Sequence, residues 1–270
     1  MSSEWKPLTL LNGRTATSED LAPLAFAGHA HFTAMQVRDH QIRGLDLHLA
    51  RLRAASLALY GQAISDEQVC TQLRQVCTLS PGHFSLMAYV YSASGEFTPT
   101  ENNAQLSLLL RTAPPHNGPQ GPLALKSFEY ERILPQFKHV GEIGKTYWMR
   151  QAVADGFDDA VFIDRLGRYS EASIWNLAFW DGEAVIWPQA PVLPGTTMGI
   201  VRRQLDKLGI PQREQELTLV DITHLNGSVV MNSWTPAVPV RQIDTVSFPT
   251  SQPFLDILHQ AYQNEPLIAP

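Results

Sequence analysis

Cysteine is nearly absent from the 270-residue chain: Cys70 and Cys77 are the only two. Both fall in an Asp66–Leu79 stretch of helical periodicity, seven residues apart, which puts them on one helix face about 10 Å from each other. They cannot bridge without unwinding that helix, so they read as small buried hydrophobes rather than a disulfide. Charge of one sign is also scarce. The 20 Lys and Arg stand against 26 Asp and Glu, a net charge of −6 with no basic patch or charged tail, which argues against a nucleic-acid partner. No apolar run approaches membrane-spanning length, and the start Met1-Ser2-Ser3-Glu4-Trp5-Lys6-Pro7 has neither the cationic opening nor the apolar core of a signal peptide. A cytoplasmic protein without a membrane partner is expected. Gly-x-Ser-x-Gly, a Walker loop and the dinucleotide glycine fingerprint are missing too. His29 and His31 share a strand face, but no third ligand follows at a plausible spacing, so no metal is expected.

What the chain does have is enough apolar residue, 44% against 17% charged, to bury two moderate cores. Leu8 to Leu11 reads as a strand ending at the Asn12-Gly13 turn, and Phe32 to Arg38 as another, returning through Asp39-His40 to Ile42-Arg43. Leu45 to Tyr60 repeats apolar residues at helical spacing, and Ser65-Asp66-Glu67-Gln68 opens a second, capped helix. Strands follow at Phe84–Tyr91 and Gln105–Leu110. Ala113 to Pro122 is rich in proline and glycine and supports neither ladder nor helix, so the expected domains are 1–112 and 123–270 with 113–122 as linker. Beyond it come a strand within Lys126–Phe137, a helix over Gly144–Asp155 stopped by Gly156, and strands at Ala160–Asp164, Tyr169–Phe179 and Ala184–Trp187. Pro194-Gly195-Thr196-Thr197 opens a helix to about Leu208, Val229–Met231 and Val238–Val240 are strands, and Phe254–Tyr262 is a closing helix. Strands and helices intermix without regular alternation, which predicts an α+β protein.

Two side chains carry the chemistry. Lys138, in Pro135-Gln136-Phe137-Lys138-His139, is an amine that can form an imine, and Glu171, in Tyr169-Ser170-Glu171-Ala172, is a carboxylate that can keep a pyridine nitrogen protonated. Pyridoxal phosphate chemistry most needs this pair. The Gly195-Thr196-Thr197 helix start offers free backbone amides, two hydroxyls and a positive dipole end to a phosphate, though such a start is also common in any helix. Arg51, three residues after His48 on one helix face, supplies a guanidinium suited to a phosphate dianion, unless it is simply solvated. Asn232-Ser233-Trp234-Thr235 is a polar cluster at a strand end that could complete a phosphate cup or be an ordinary turn.

From Gly44 to Leu52, through Phe137-Lys138, Gly156-Phe157-Asp158-Asp159-Ala160, Asp164, Glu171 with Asn176-Leu177 and Leu193-Pro194-Gly195-Thr196-Thr197, to Pro239-Val240, the chain resembles class IV aminotransferases. These are the fold-type IV pyridoxal phosphate enzymes, among them branched-chain and D-amino acid aminotransferases and 4-amino-4-deoxychorismate lyase. The resemblance implies a small N-terminal α/β sandwich domain, a larger C-terminal pseudo-β-barrel domain with helices, pyridoxal 5'-phosphate between them, and a homodimer. It implies that Lys138 carries the cofactor and shuttles the proton, that Glu171 meets the ring nitrogen, and that Arg51, Thr196, Thr197 and Ser233 hold the phosphate. Thr33, Trp234 and Thr235 are the candidates for contacting substrate. Lys145, seven residues after Lys138 at a helix start, is the rival lysine; it is expected to be solvated.

The reaction is harder to read. The stretch before Phe32, which in relatives usually carries a glycine-aspartate-glycine pattern, reads Phe26-Ala27-Gly28-His29-Ala30-His31, and the strand ending Val90-Tyr91-Ser92-Ala93 lacks the arginine-glycine found there in relatives. The threonine attributed to the lyase falls at Ala34, and its neighbour Thr33 faces the other side of the strand. Lys138-His139 and the Asn232 cluster with Pro236 and Pro239-Val240 look more like the lyase, whereas Ile143 replaces a tyrosine of the branched-chain enzymes. The expected activity is transfer of an amino group between an amino acid and a 2-oxo acid. Pyruvate release from aminodeoxychorismate is the alternative, and cofactor binding without turnover a further one.

Overall fold

The computed structural model describes residues 5–93, 97 and 105–270, so part of the leader reading lies outside the described residues. Contacts divide the chain into two units. One takes residues up to His116 with Phe137–Gly141 and Pro266–Pro270; the other takes Asn117–Gln136 and Glu142–Glu265.

The first unit is a seven-stranded sheet covered by two helices. Its strands are β1 (Thr9–Leu11), β2 (Arg14–Thr15), β3 (His31–Arg38), β4 (Gln41–Arg43), β5 (Phe84–Ser92), β6 (Leu106–Ala113) and a final strand Leu267–Ile268. The order is final strand, β4, β3, β5, β6, β1, β2. Asn12-Gly13 and Asp39-His40 take positive φ in the two hairpin turns, the conformation that matches strand twist. The helices are α1 (Ser18–Leu21), α2 (Leu45–Tyr60) and α3 (Asp66–Leu79). Ser65 and Gln68 form the expected capping box at α3, and Gly61 in the left-handed region ends α2. Burial alternates strictly along β3: His31, Thr33, Met35 and Val37 are buried, while Phe32, Ala34, Gln36 and Arg38 are half-buried. Met35 and Val37 join Leu52, Leu73, Val76, Phe84, Leu86 and Leu110 in the core between sheet and helices. Cys77 belongs to that core and Cys70 packs against it, both as free thiols.

The second unit is built on a closed barrel. Its elements are β7 (Leu123–Glu129), α4 (Ile143–Ala154), β8 (Asp159–Ile163), β9 (Tyr169–Ala172), β10 (Asn176–Trp180), β11 (Val185–Pro188), α5 (Thr196–Leu208), β12 (Gln212–Gln215), α6 (Leu219–Ile222), β13 (Gly227–Asn232), β14 (Thr235–Ile243), β15 (Val246–Ser247) and α7 (Gln252–Gln263). β10, β13, β14, β7, β8 and β9 pair in that order, and β9 pairs back to β10, so six strands close on themselves. The period of two sorts their side chains. Leu177, Phe179, Ile186 and Val230 share one cluster with Leu125, Val161 and Val238, while the intervening Ala178, Val185, Trp187, Val229 and Met231 pack on Val201 and Leu205 of α5 and Phe254 and Leu258 of α7.

Two sequence expectations change here. The strand expected within Lys126–Phe137 begins at Leu123 and ends at Glu129; beyond it Leu134 takes positive φ next to Pro135, which cannot donate to a ladder. Tyr169–Phe179 is two strands, because the chain reverses at Ser173–Trp175 and lays Asn176 opposite Glu171. Polar β12 gives no hydrophobic signal and was not expected from the sequence. Among the described residues no helix is long and apolar enough to cross a membrane.

Candidate active site

Glu171 lies where the barrel closes. The β9–β10 junction has the single register pair Asn176–Glu171, and both side chains are buried. Both also reach the chain that leads into α5: Leu193 N donates to Glu171 Oε2 at 3.3 Å, and Asn176 Nδ2 donates to Leu193 O at 2.8 Å. Gly195 follows at the N-cap of α5, and here glycine is required by space, since a Cβ would overlap Asn176 Oδ1. The carboxylate and the helix start are thus positioned by one set of bonds. Thr196 and Thr197 are buried in the first turn of α5, and no side chain caps that turn. Its leading amides are therefore available to an anion.

Glu171 Oε1 is buried and accepts no hydrogen bond among the described residues. Arg132 Nε lies 3.3 Å away as an ion pair, but its single N–H is directed to Glu142 Oε1 at 2.8 Å. Arg132 Nη2 also bonds Glu142, and Nη1 donates to Pro135 O at 2.8 Å. Buried Arg132 is thereby fixed between two carboxylates, a placement that its exposed-looking sequence context does not announce.

Lys145 overturns its expectation. It sits in the first turn of α4 and is 7% exposed, because α4 packs on β7 and β8 with that face inward. Burial is the main cause that lowers its pKa, opposed by the nearby charges of Glu171, Glu142 and Asp159 and reinforced by Arg132. Asp159 is itself buried; its carboxyl pKa is raised by desolvation, against bonds from Ala160 N at 2.7 Å and Trp175 Nε1 at 2.9 Å.

Ser233 and Trp234 form the two-residue turn between Asn232 and Thr235, with Trp234 N donating to Asn232 Oδ1 at 2.8 Å. Ser233 is half-buried there, Trp234 packs edge-on to Trp175, and buried Thr235 turns its hydroxyl to Ala237 O at 3.4 Å.

The remaining predicted residues belong to the first unit. Phe137–Gly141 runs beside β3: Phe32 N donates to Lys138 O, and Val140 N to Ala30 O, both at 2.8 Å. Lys138 Nζ lies 4.8 Å from the centre of the Phe32 ring, which stacks on Tyr89 across the β3–β5 pair. Thr33 points the opposite way. It is fully buried against α2, with Oγ1 2.6 Å from His48 Nδ1. Arg51, one turn on from His48, is half-buried and its charge helps to lower the His48 pKa, after the larger effect of burial.

Comparison with known proteins places the chain in a family. Residues 30–243 match the model of amino-transferase class IV, and the chain belongs to that family. A search of curated protein sequences finds no match. Among solved structures, the chain is similar to branched-chain aminotransferase from Thermoproteus uzoniensis with norvaline, at 15% identity over 96% of this chain and 94% of that one, with a TM-score of 0.82. It is similar to 4-amino-4-deoxychorismate lyase from Pseudomonas aeruginosa, at 19% identity over 95% and 99% with a TM-score of 0.80. A hypothetical aminotransferase from Mycobacterium tuberculosis, in a PLP-bound form, is 17% identical over 95% and 97%, with a TM-score of 0.76. The fold is therefore the α+β, fold-type IV architecture, with α+β expected from the order of elements and fold-type IV from the family resemblance.

Proposed function

We propose that this chain is a pyridoxal-phosphate-dependent aminotransferase that moves an amino group between an amino acid and a 2-oxo acid. Bound pyridoxal phosphate supplies an aldehyde that condenses with amines and a ring that withdraws electrons from the substrate α-carbon. The observation that carries the cofactor reading is Glu171 Oε1, a buried carboxylate oxygen that has the Arg132 ion pair at 3.3 Å but accepts no hydrogen bond among the described residues, beside a helix start with no side-chain cap. Such an oxygen is costly unless a donor meets it, and a protonated ring nitrogen is such a donor. In this reading Lys138 holds the aldehyde carbon and moves the α-proton, Thr196, Thr197 and the α5 amides hold the phosphate with Arg51 and Ser233, and Trp234 borders the substrate. A homodimer and a cytoplasmic location belong to the same proposal.

Transamination is favoured over the lyase by β3. The residue on the Phe32 face is Ala34, which has no hydroxyl, and the Thr33 hydroxyl is committed to His48. A screen of amino donors and 2-oxo acceptors tests this. Conversion of the cofactor to its amine form by an amino acid, reversed by a 2-oxo acid and lost in Lys138→Ala, is expected. Release of pyruvate from aminodeoxychorismate without that half-reaction would establish the lyase instead, and cofactor binding with neither activity would leave a binding protein.

A further inference from the structure

Phe32 is a large aromatic side chain on the half-buried side of β3, and it joins neither apolar cluster of the first unit. Its contacts lead to Lys138 instead. Phe32 N donates to Lys138 O and Val140 N to Ala30 O, both at 2.8 Å, and Lys138 Nζ lies 4.8 Å from the centre of the Phe32 ring. That separation is inside the roughly 6 Å over which a ring face attracts a cation. One residue thus meets the lysine at both ends, backbone and amine. The ring is itself held: it stacks on Tyr89 with centroids 5.3 Å apart and planes at 29°, and the Tyr89 hydroxyl donates to Met87 Sδ at 3.5 Å.

The residues that share the Phe32 side of β3, β5 and β6 include no carboxylate; the charged or titratable ones are Arg38, Tyr89, Tyr91 and Arg111. Burial raises the pKa of both tyrosines, so neither adds negative charge at neutral pH. Asp20, whose backbone carbonyl accepts from the Tyr91 hydroxyl at 3.1 Å, has its carboxylate paired with Arg14 at 2.6 Å. His139, next to Lys138, is the bridge partner of His31 on β3. The negative face of an aromatic ring is what this side of the sheet offers an ammonium.

We propose that Phe32 is a positioning residue for Lys138, its ring face holding Nζ and favouring the ammonium over the neutral amine. What this does in turnover rests on the reading of Lys138 given above. An Nζ that takes a proton from the substrate α-carbon gains a hydrogen and a positive charge, the C–H electron pair staying with the substrate, and the ring stabilises that charge. The same ring works against Nζ when it must be neutral to bond an aldehyde carbon. Phe32 then sets the balance between the lysine as base and the lysine as anchor.

The contact is tested on the full chain stripped of cofactor. Trace acetylation with acetic anhydride from about pH 7 to 11, with the Lys138 peptide read by mass spectrometry, gives the titration of that one amine. Phe32→Leu keeps an apolar side chain and loses the ring face; the neutral fraction of Lys138 is expected to rise about two- to fivefold at a given pH, the size of a cation–π contact at a partly exposed site. The sign is diagnostic, because admitting water around Nζ by shrinking the side chain would favour the ammonium and move the titration the other way. Phe32→Tyr keeps the face and should titrate as the unaltered protein does. If Phe32→Leu does not fold, a ring-fluorinated phenylalanine placed at position 32 keeps the shape while weakening the face, and should shift the titration in the same direction. A titration unchanged or shifted upward when the face is lost, or a Phe32→Tyr protein that shifts as far as Phe32→Leu, would overturn this inference while leaving the cofactor reading intact. The expected shift in a protein that takes up no pyridoxal phosphate would instead overturn the proposed function, and with it the role in turnover.

Discussion

Acidification should loosen the first unit well before it protonates most carboxylates. His31 is fully buried, with Nε2 2.9 Å from Ser56 Oγ and Nδ1 bonded to nothing among the described residues; His48 is buried against Thr33. Burial lowers the His31 pKa to about 4 and the His48 pKa to about 3. In the unfolded chain both titrate near 6.5, so the unfolded state binds more protons between those values, and stability falls as pH drops below about 6.5. Between pH 7 and pH 5 each histidine should cost about 2 kcal/mol, roughly 4 kcal/mol together, a large part of the few to fifteen kcal/mol that hold a typical domain. Two-unit unfolding is not safely two-state, so amide exchange of β3 and α2, corrected for its intrinsic pH dependence, is the proper assay. Protection there should fall on acidification, and His48→Gln should start lower at pH 7 yet fall by about half as much. Equal protection at pH 7 and 5, or imidazole signals of His31 and His48 that titrate near 6.5 in the folded protein, would refute the burial argument.

Three glycines and a cap give further tests. Gly195→Ala should push Asn176 off Leu193, destabilise the protein by about 1–3 kcal/mol and weaken cofactor binding, whereas Gly156→Ala, whose Cβ meets nothing within 4 Å but whose φ is +86°, should cost about 1 kcal/mol and leave binding unchanged. Denaturant melts and cofactor titration separate the two. Gly144→Ala should drive the Tyr130 ring from the first turn of α4 and lower thermal stability by a similar steric cost. Ser65→Ala removes the hydroxyl that accepts from Gln68 N and should cost about 1 kcal/mol, read by the same melts.

Elements whose signals are local were legible in the sequence. The α2 and α3 limits follow from periodicity and, at α3, from capping residues, and the β1–β2 and β3–β4 turns from Asn12-Gly13 and Asp39-His40. The barrel was not derivable from the residues, because closure depends on β9 meeting β10 through one register pair, and the tight reversal at residues 173–175 contains no glycine or proline to mark it. Family resemblance supplied it instead. At the site, Glu171 and the Thr196-Thr197 helix start stand out by residue type and context. Arg132 and Lys145 do not, since nothing in a run such as Glu142-Ile143-Gly144-Lys145 says which face of the helix the barrel will cover. The one available hint was Gly144, a glycine in a first turn, which marks the close approach of Tyr130.

The most direct measurement of the central claim is to reduce the cofactor-loaded protein with borohydride and map the lysine that retains the pyridoxyl group. The account predicts the label on the peptide containing Lys138, and its loss in Lys138→Ala. A label on Lys145, or a Lys138→Ala protein that still takes up the group at full occupancy, would contradict it.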